Sequence, residues 1–212
     1  RSNKLFVFSS QNVADAGTGT VFTTGTDMAN PDQSLQTMVP PTPDMADSIL
    51  GYGSRAIGQY NLFGGAATDL VVGHSALGNV FVYADRVGSL FPTTPTLTIQ
   101  PRTGCNVVTP SAQCGFGQDI QATDFTGDGR RDLLVTEQSV NGSAWLFVQR
   151  SLSGQEFDVN AGAGFWQSRL LSVTSGFMAN VASGDFNGDG KRDLVVSDRV
   201  DGSGKAFVWQ QP

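Results

Sequence analysis

Two stretches of the chain place oxygen-bearing side chains at alternating positions: Asp124, Thr126, Asp128 and Asp132 in DFTGDGRRD, and Asp185, Asn187, Asp189 and Asp193 in DFNGDGKRD. Counted from the first aspartate these are positions 1, 3, 5 and 9, with glycine at positions 4 and 6. That is calcium spacing. Alternate residues of a tight loop turn their oxygens inward, and the glycines let the backbone bend. The main-chain carbonyl at position 7, Arg130 or Lys191, can complete a shell of about six or seven oxygens. Three carboxylates converging in one turn would repel one another without a cation. Two Ca²⁺ per chain are therefore expected. An EF-hand loop opens in the same way, but it needs a helix on each side and a Glu at position 12. Position 12 here is Val135 or Val196, inside a strand-like run, so the EF-hand is rejected. The plain alternative is a pair of Asp/Gly hairpin turns with solvated carboxylates.

The elements that must hold these loops are found by self-comparison. DFTGDGRRDLLV (124–135) and DFNGDGKRDLVV (185–196) lie 61 residues apart, and a decayed copy, NLFGGAATDLVV (61–72), precedes them. In that copy Asn61, Phe63 and Gly65 replace the ligand side chains and only Asp69 remains, so no metal is expected there. Upstream of each copy stand a glycine and an aromatic (Gly51-Tyr52, Gly115-Phe116, Gly176-Phe177), then a β-branched residue at Ile57, Ile120 or Val181. Downstream comes Phe81-Val82, Phe147-Val148 or Phe207-Val208, and Phe6-Val7 is a fourth copy of that last feature with nothing before it.

Short runs of Val, Leu, Phe and Trp are bounded by Gly, Asn, Asp and Ser, and no helical period persists. The unit reads as four strands: one before the Asp loop, one after it, one at Phe-Val, and one in the linking region, for example Thr96 to Gln100. Strands apolar on both sides, such as LVV and WLFV, suit sheets covered on both faces. The expected fold is all-β, a β-propeller of four-stranded blades with about three and a half units in this chain. Residues 1–10 form the last part of an incomplete blade, 11–48 a linker or inserted loop, 49–110 a degenerate repeat, and 111–171 and 172–212 repeats with metal loops. The Pro-rich 11–48 stretch has room for one helical turn after Asn30-Pro31.

Composition narrows the class. Of 19 acidic residues only Glu137 and Glu156 are glutamates, beside 26 Gly and 39% apolar residues. Asp and Gly favour turns where Glu favours helix, so a helical bundle is excluded. With 15% charged residues and 14 Phe the chain is too apolar for a disordered acidic tail. A net charge of -6 argues against a nucleic-acid binder. No run approaches the roughly 18 to 20 apolar residues of a membrane helix, so a soluble protein is expected. The chain opens at Arg1 with no Met or apolar leader, as a mature, excised or recombinant product would. Cys105 and Cys114, between Pro- and Gly-rich flanks, are expected to form a disulfide worth about 2 to 3 kcal/mol, the alternative being two free thiols. A bridge implies a secreted, extracellular setting, which the sequon Asn141-Gly142-Ser143 suits.

The unit of Gly-aromatic pair, D-x-[NT]-x-D-G-x-x-D-L loop and Phe-Val strand resembles the FG-GAP or VCBS repeat of integrin α-subunit propellers and of many secreted microbial and fungal proteins. The resemblance covers most of the chain outside 11–48. It implies a propeller, commonly of seven blades, with calcium as a structural ion in hairpin loops at one rim. The carry-over holds for Asp124, Thr126, Asp128 and Asp132 and for Asp185, Asn187, Asp189 and Asp193. It fails for the first copy. Seven blades would need roughly twice this chain, so the chain is expected either to be part of a longer propeller or to form a homodimer that closes one ring, the Phe6 strand of one copy completing an edge of the other.

Three functions compete. In a recognition module, calcium stiffens the rim and the loops bind carbohydrate or an extracellular protein; Trp166, Trp145, Tyr83 and Trp209 are candidates to stack on sugars, set against the plain reading that each belongs to the core. In a polysaccharide lyase or hydrolase, carboxylates such as Asp119, Glu137, Glu156 and Asp158 would act, but no mechanistic neighbour accompanies them. The single histidine, His74, has no second His and no G-x-S-x-G elbow beside it, since Leu77 stands where the last glycine belongs. The third reading is an adhesion or assembly module, for which the sequence has no partner signature. The balance leans away from an enzyme.

Overall fold

A computed structural model describes residues 5–7, 36–38, 57–63, 68–75, 78–84, 91–100, 115–137, 143–149, 165–172, 178–198 and 204–211. Among them every regular element is a strand: β1 Leu5–Val7, β2 Gln36–Met38, β3 Ile57–Tyr60, β4 Asp69–His74, β5 Asn79–Tyr83, β6 Leu97–Ile99, β7 Phe116–Thr123, β8 Asp132–Glu137, β9 Ser143–Gln149, β10 Phe165–Ser172, β11 Met178–Gly184, β12 Asp193–Asp198 and β13 Lys205–Trp209. They form four antiparallel sheets, each strand pairing with its neighbour in sequence: β1–β2, β3 to β6, β7 to β10, and β11 to β13.

Each Asp loop joins the first two strands of its sheet, and the Phe-Val pairs at 81–82, 147–148 and 207–208 lie on the third, whereas Phe6-Val7 lies on β1. β6 falls inside the expected Thr96 to Gln100 strand. Within the 11–48 stretch, read as a linker or inserted loop, β2 pairs with β1, Leu5 opposite Met38. Gln-Thr-Met has no apolar run to announce a strand; its partner across the sheet supplies what the local pattern lacks. The turn after Asn30-Pro31, the Cys105–Cys114 pair, Asn141, Glu156 and Asp158 lie outside the described residues.

Alternation along the strands sends successive side chains to opposite faces, and both faces are used. Val71, Val80, Val82 and Ile99 of the β3–β6 sheet pack with Leu62 against Phe116, Ile120, Ala122, Leu133, Val135, Trp145 and Phe147 of the β7–β10 sheet. The other face of the β7–β10 sheet, Leu134, Ala144 and Leu146, meets Leu194 and Val196 of the β11–β13 sheet, with Phe125, Val181, Phe207 and Trp209 packed around them. The other face of the β3–β6 sheet, Leu70, Val72, Phe81 and Tyr83, packs with Phe91. This is why β4 and β8 are buried along their whole length.

The Gly-aromatic pair works at the first of these contacts. Phe116 is fully buried, edge-on to Phe147 with centroids 5.8 Å apart. Gly117, at φ 86°, lies so close to the neighbouring sheet that a Cβ would come within 2.8 Å of the Asn79 carbonyl oxygen. A side chain there meets both strained backbone and a main-chain clash.

Candidate functional site

The two intact loops fold alike because their glycines allow it. Gly127 and Gly129, and Gly188 and Gly190, all have φ between 75° and 84°, a region that side-chain-bearing residues avoid. The turn brings main-chain N–H groups round the position-1 carboxylate. Gly127 and Asp128 donate to Asp124 Oδ1 at 2.7 and 3.0 Å, and Gly129 to Oδ2 at 2.9 Å. In the second loop Gly188 and Asp189 donate to Asp185 Oδ1 at 2.6 and 3.1 Å, and Gly190 to Oδ2 at 2.9 Å.

Position 5 is satisfied differently. Asp128 accepts from the Arg130 N–H at 2.9 Å and pairs with the Arg130 guanidinium. Asp189 accepts from the Lys191 N–H at 2.8 Å and from Asn187 Nδ2 at 2.9 Å. The Lys191 N–H and then the Asn187 amide hold the Asp189 carboxyl below the usual carboxylate range. These mouths are exposed on most of their residues.

Position 9 is buried. Asp132 is fully buried; its Oδ2 accepts from the Phe125 and Thr126 N–H groups, both at 3.0 Å, and its Oδ1 from the Gln149 N–H at 3.0 Å. Asp193, also fully buried, accepts from Phe186 N–H at 2.9 Å and Gln211 N–H at 3.1 Å. Burial pushes the Asp132 carboxyl above its usual range, although the Gln149, Thr126 and Phe125 amides pull it back down. Asp69 repeats the contact in the decayed loop, accepting from Leu62 N–H at 2.8 Å and Phe63 N–H at 3.3 Å.

The expectation of three converging carboxylates is corrected by this geometry. Among the described residues no three His, Cys, Asp or Glu side chains converge on a point that could hold a metal ion. The physical reason is that each loop carboxylate has its own N–H donors, which take up the negative charge that a cation would otherwise neutralise. By donor chemistry the mouths still fit a hard cation. Oxygens at positions 1, 3 and 5 and the carbonyl at 7 lie on one exposed turn, and binding would exchange N–H partners for the ion.

The aromatic candidates separate by depth. Tyr83 is fully buried, and Trp145, 4% exposed, donates from its indole N–H to Glu137 Oε2 at 2.9 Å. Both are core side chains on strands covered on both faces, which removes them as stacking platforms. Trp209 is half-buried, tilted against Phe207. Trp166 lies on the edge strand β10 opposite Val148, its side chain outside the described ones. His74 is fully buried on β4, edge-on to Phe81, and burial lowers its pKa.

Two residues tie the sheets together: Gln149, which sequence reading passed over, and Asp119, which it named only as a candidate catalytic carboxylate. Gln149 Nε2 donates to the Leu62 carbonyl at 2.7 Å, joining the third strand of one sheet to the preceding sheet's loop. Asp119 Oδ2 accepts from the Val181 N–H at 2.9 Å, joining first strands of adjacent sheets. The last sheet has a counterpart at Gln211, whose N–H meets Asp193 as the Gln149 N–H meets Asp132, although Gln149 directly follows Val148 and Gln211 stands three residues after Val208.

Successive antiparallel meanders packed face to face, each with its Asp loop at the same hairpin, define the chain as a β-propeller protein. A family model described as an FG-GAP-like repeat matches residues 124–196. Integrin alpha-7 of Rattus norvegicus is 34% identical over 102 residues, 45% of this chain and 8% of that protein. Integrin alpha-3 of Mus musculus is 30% identical over 106 residues, 44% of this chain and 9% of that protein. Residues 124–196 are thus similar to an FG-GAP-like repeat, and the chain's match spans less than a tenth of the length of these integrins.

Proposed function

We propose that the chain is a non-catalytic recognition or adhesion module of the extracellular space, with rim loops stabilised by two calcium ions. The observation that carries this reading is the pair of exposed loops at the same hairpin of adjacent sheets, alike in sequence, glycine φ angles and carboxylate partners. Asp124, Thr126, Asp128 and the Arg130 carbonyl would hold one ion, and Asp185, Asn187, Asp189 and the Lys191 carbonyl the other. Asp132 and Asp193 would support each loop from beneath and join the shell only by giving up an N–H partner. Bound calcium would change the formal charge from -6 to -2.

The partner is an extracellular protein or a carbohydrate, met at the rim. With Tyr83 and Trp145 in the core, the sugar-stacking version rests on Trp166. Calorimetric titration is expected to give two calcium ions per chain, falling to one in Asp124→Ala and in Asp185→Ala; no measurable calcium binding would defeat the reading. A glycan array run with and without EDTA separates carbohydrate from protein partners. The enzyme alternative loses ground, since Glu137 is buried against Trp145 and Asp119 is held by Val181.

A further inference from the structure

The two intact loops share their turn but close their mouths differently. At position 5 of the first, the Asp128 carboxylate pairs through Oδ2 with the Arg130 guanidinium, and Arg130 Nε donates to the Gln149 carbonyl at 3.0 Å. Gln149 is fully buried and is fixed in turn by its N–H on Asp132 Oδ1 and its side chain on the Leu62 carbonyl. The guanidinium is therefore anchored at one end on a buried strand and at the other on a mouth carboxylate. In the second loop the matching oxygen, Asp189 Oδ2, accepts from the neutral Asn187 amide at 2.9 Å. Lys191 brings a cation there too, but its charge acts on the Asp189 carboxyl less than its own main-chain N–H or the Asn187 amide does.

Position 3 widens the difference. The Thr126 hydroxyl donates to the Asp132 carboxylate at the buried base. Asn187 stays at the mouth, where its Oδ1 accepts from the Asp189 N–H at 2.9 Å while its Nδ2 reaches the Asp189 carboxylate. To take up a hard cation, the second loop has only to exchange hydrogen bonds among exposed residues for oxygen ligands. The first must break an ion pair, draw Arg130 off the Gln149 carbonyl and turn Thr126 away from Asp132. A charge-assisted hydrogen bond is roughly twice as strong as a neutral one, so the exchange costs more in the first loop. A guanidinium left beside that mouth also repels the incoming ion.

We propose that Arg130 is a tethered cation that competes with calcium, so that the second loop fills first and the first loop fills only at higher calcium, as Arg130 is displaced. This inference rests on the two loops being calcium sites. Without calcium, Arg130 stands in for the ion at the first mouth, and the second loop is the one that answers the metal at low concentration. The rim then responds to calcium in two stages rather than one.

The test is calorimetric titration of the 212-residue chain with calcium, in which two steps about tenfold apart in Kd are expected. Asp185→Ala should remove the tighter step and Asp124→Ala the weaker. Arg130→Ala, which keeps the main-chain carbonyl, is expected to tighten the weaker step about tenfold. Arg131→Ala is expected to leave both steps in place, because that guanidinium reaches the Ala122 carbonyl rather than a mouth carboxylate. In ¹⁵N NMR of the wild type, which depends on no variant folding, the Arg130 Nε–H signal is expected to move during the weaker step alone. Steps of equal affinity, loss of the tighter step in Asp124→Ala, a weaker step unchanged in Arg130→Ala or tightened as much in Arg131→Ala, or an Arg130 signal that moves with the tighter step would overturn the role of Arg130 and leave the calcium sites standing. No calcium binding in either the wild type or Arg130→Ala would overturn the calcium reading and this inference with it.

Discussion

The loop at 61–69 and the loop at 124–132 rest on the same base and differ at the mouth. In both, the position-9 aspartate accepts main-chain N–H groups from positions 2 and 3, Leu62 and Phe63 in one and Phe125 and Thr126 in the other. At the mouth, Asp124 gathers three more N–H groups where the decayed copy has Asn61. The difference teaches that the motif serves two separable purposes. Position 9 closes the loop onto its sheet and is retained where positions 1, 3 and 5 have lost their ligand side chains. The mouth is the part that a cation could use.

The largest expected effect tests that separation. Asp132→Ala strips an acceptor from three main-chain N–H groups, and at about 1 to 3 kcal/mol for each buried group left unpaired it is expected to cost about 3 kcal/mol or more in urea unfolding. Asp69→Ala is expected to destabilise similarly while leaving calcium stoichiometry unchanged. A neutral Asp69→Ala would break the comparison, because position 9 would then matter for metal alone. Next in size, calcium at about a hundredfold excess over Kd is expected to add about 2.7 kcal/mol per occupied loop. Thermal melts with calcium and with EDTA read it, and Asp124→Ala should halve the difference.

Gly129→Ala has a smaller expected effect. Nothing lies within 4 Å of the added Cβ, so the cost is conformational, about 1 to 2 kcal/mol for an alanine at φ 82°. Gly117→Ala should cost more, because there the clash with Asn79 is added. The smallest test follows carboxyl signals by NMR through an acid titration in EDTA. Asp132 is expected to titrate above the ordinary carboxylate range and Asp189 below it. The signs differ for stability. The lowered Asp189 contributes above the unfolded value of about 3.9 and loses that contribution as pH falls through its folded value. The raised Asp132 contributes below that unfolded value and loses its contribution as pH rises through its folded value. The reverse order would show that the N–H donors around Asp132 outweigh its burial.

Much of the fold was legible because the loops recur at a constant offset and each is followed by an apolar run. The strand at 36–38 was not, since its three residues carry no pattern apart from their partner. Trp145 and Tyr83 could be listed as aromatics near the repeats, but their depth depends on which sheet covers them. The double role of the Asp loops was hidden for a related reason. Spacing shows which oxygens lie near one another in a turn, whereas burial and the direction of N–H groups depend on where the turn lands.

The sequence by itself determined the repeat, the strand content and the donor chemistry of the loops, because these follow from residue type and short-range spacing. Only the tertiary structure decided that position 9 faces the main chain and that Gln149 and Asp119 join adjacent sheets. Those outcomes depend on which sheet face meets which, and strands apolar on both sides do not reveal that in advance.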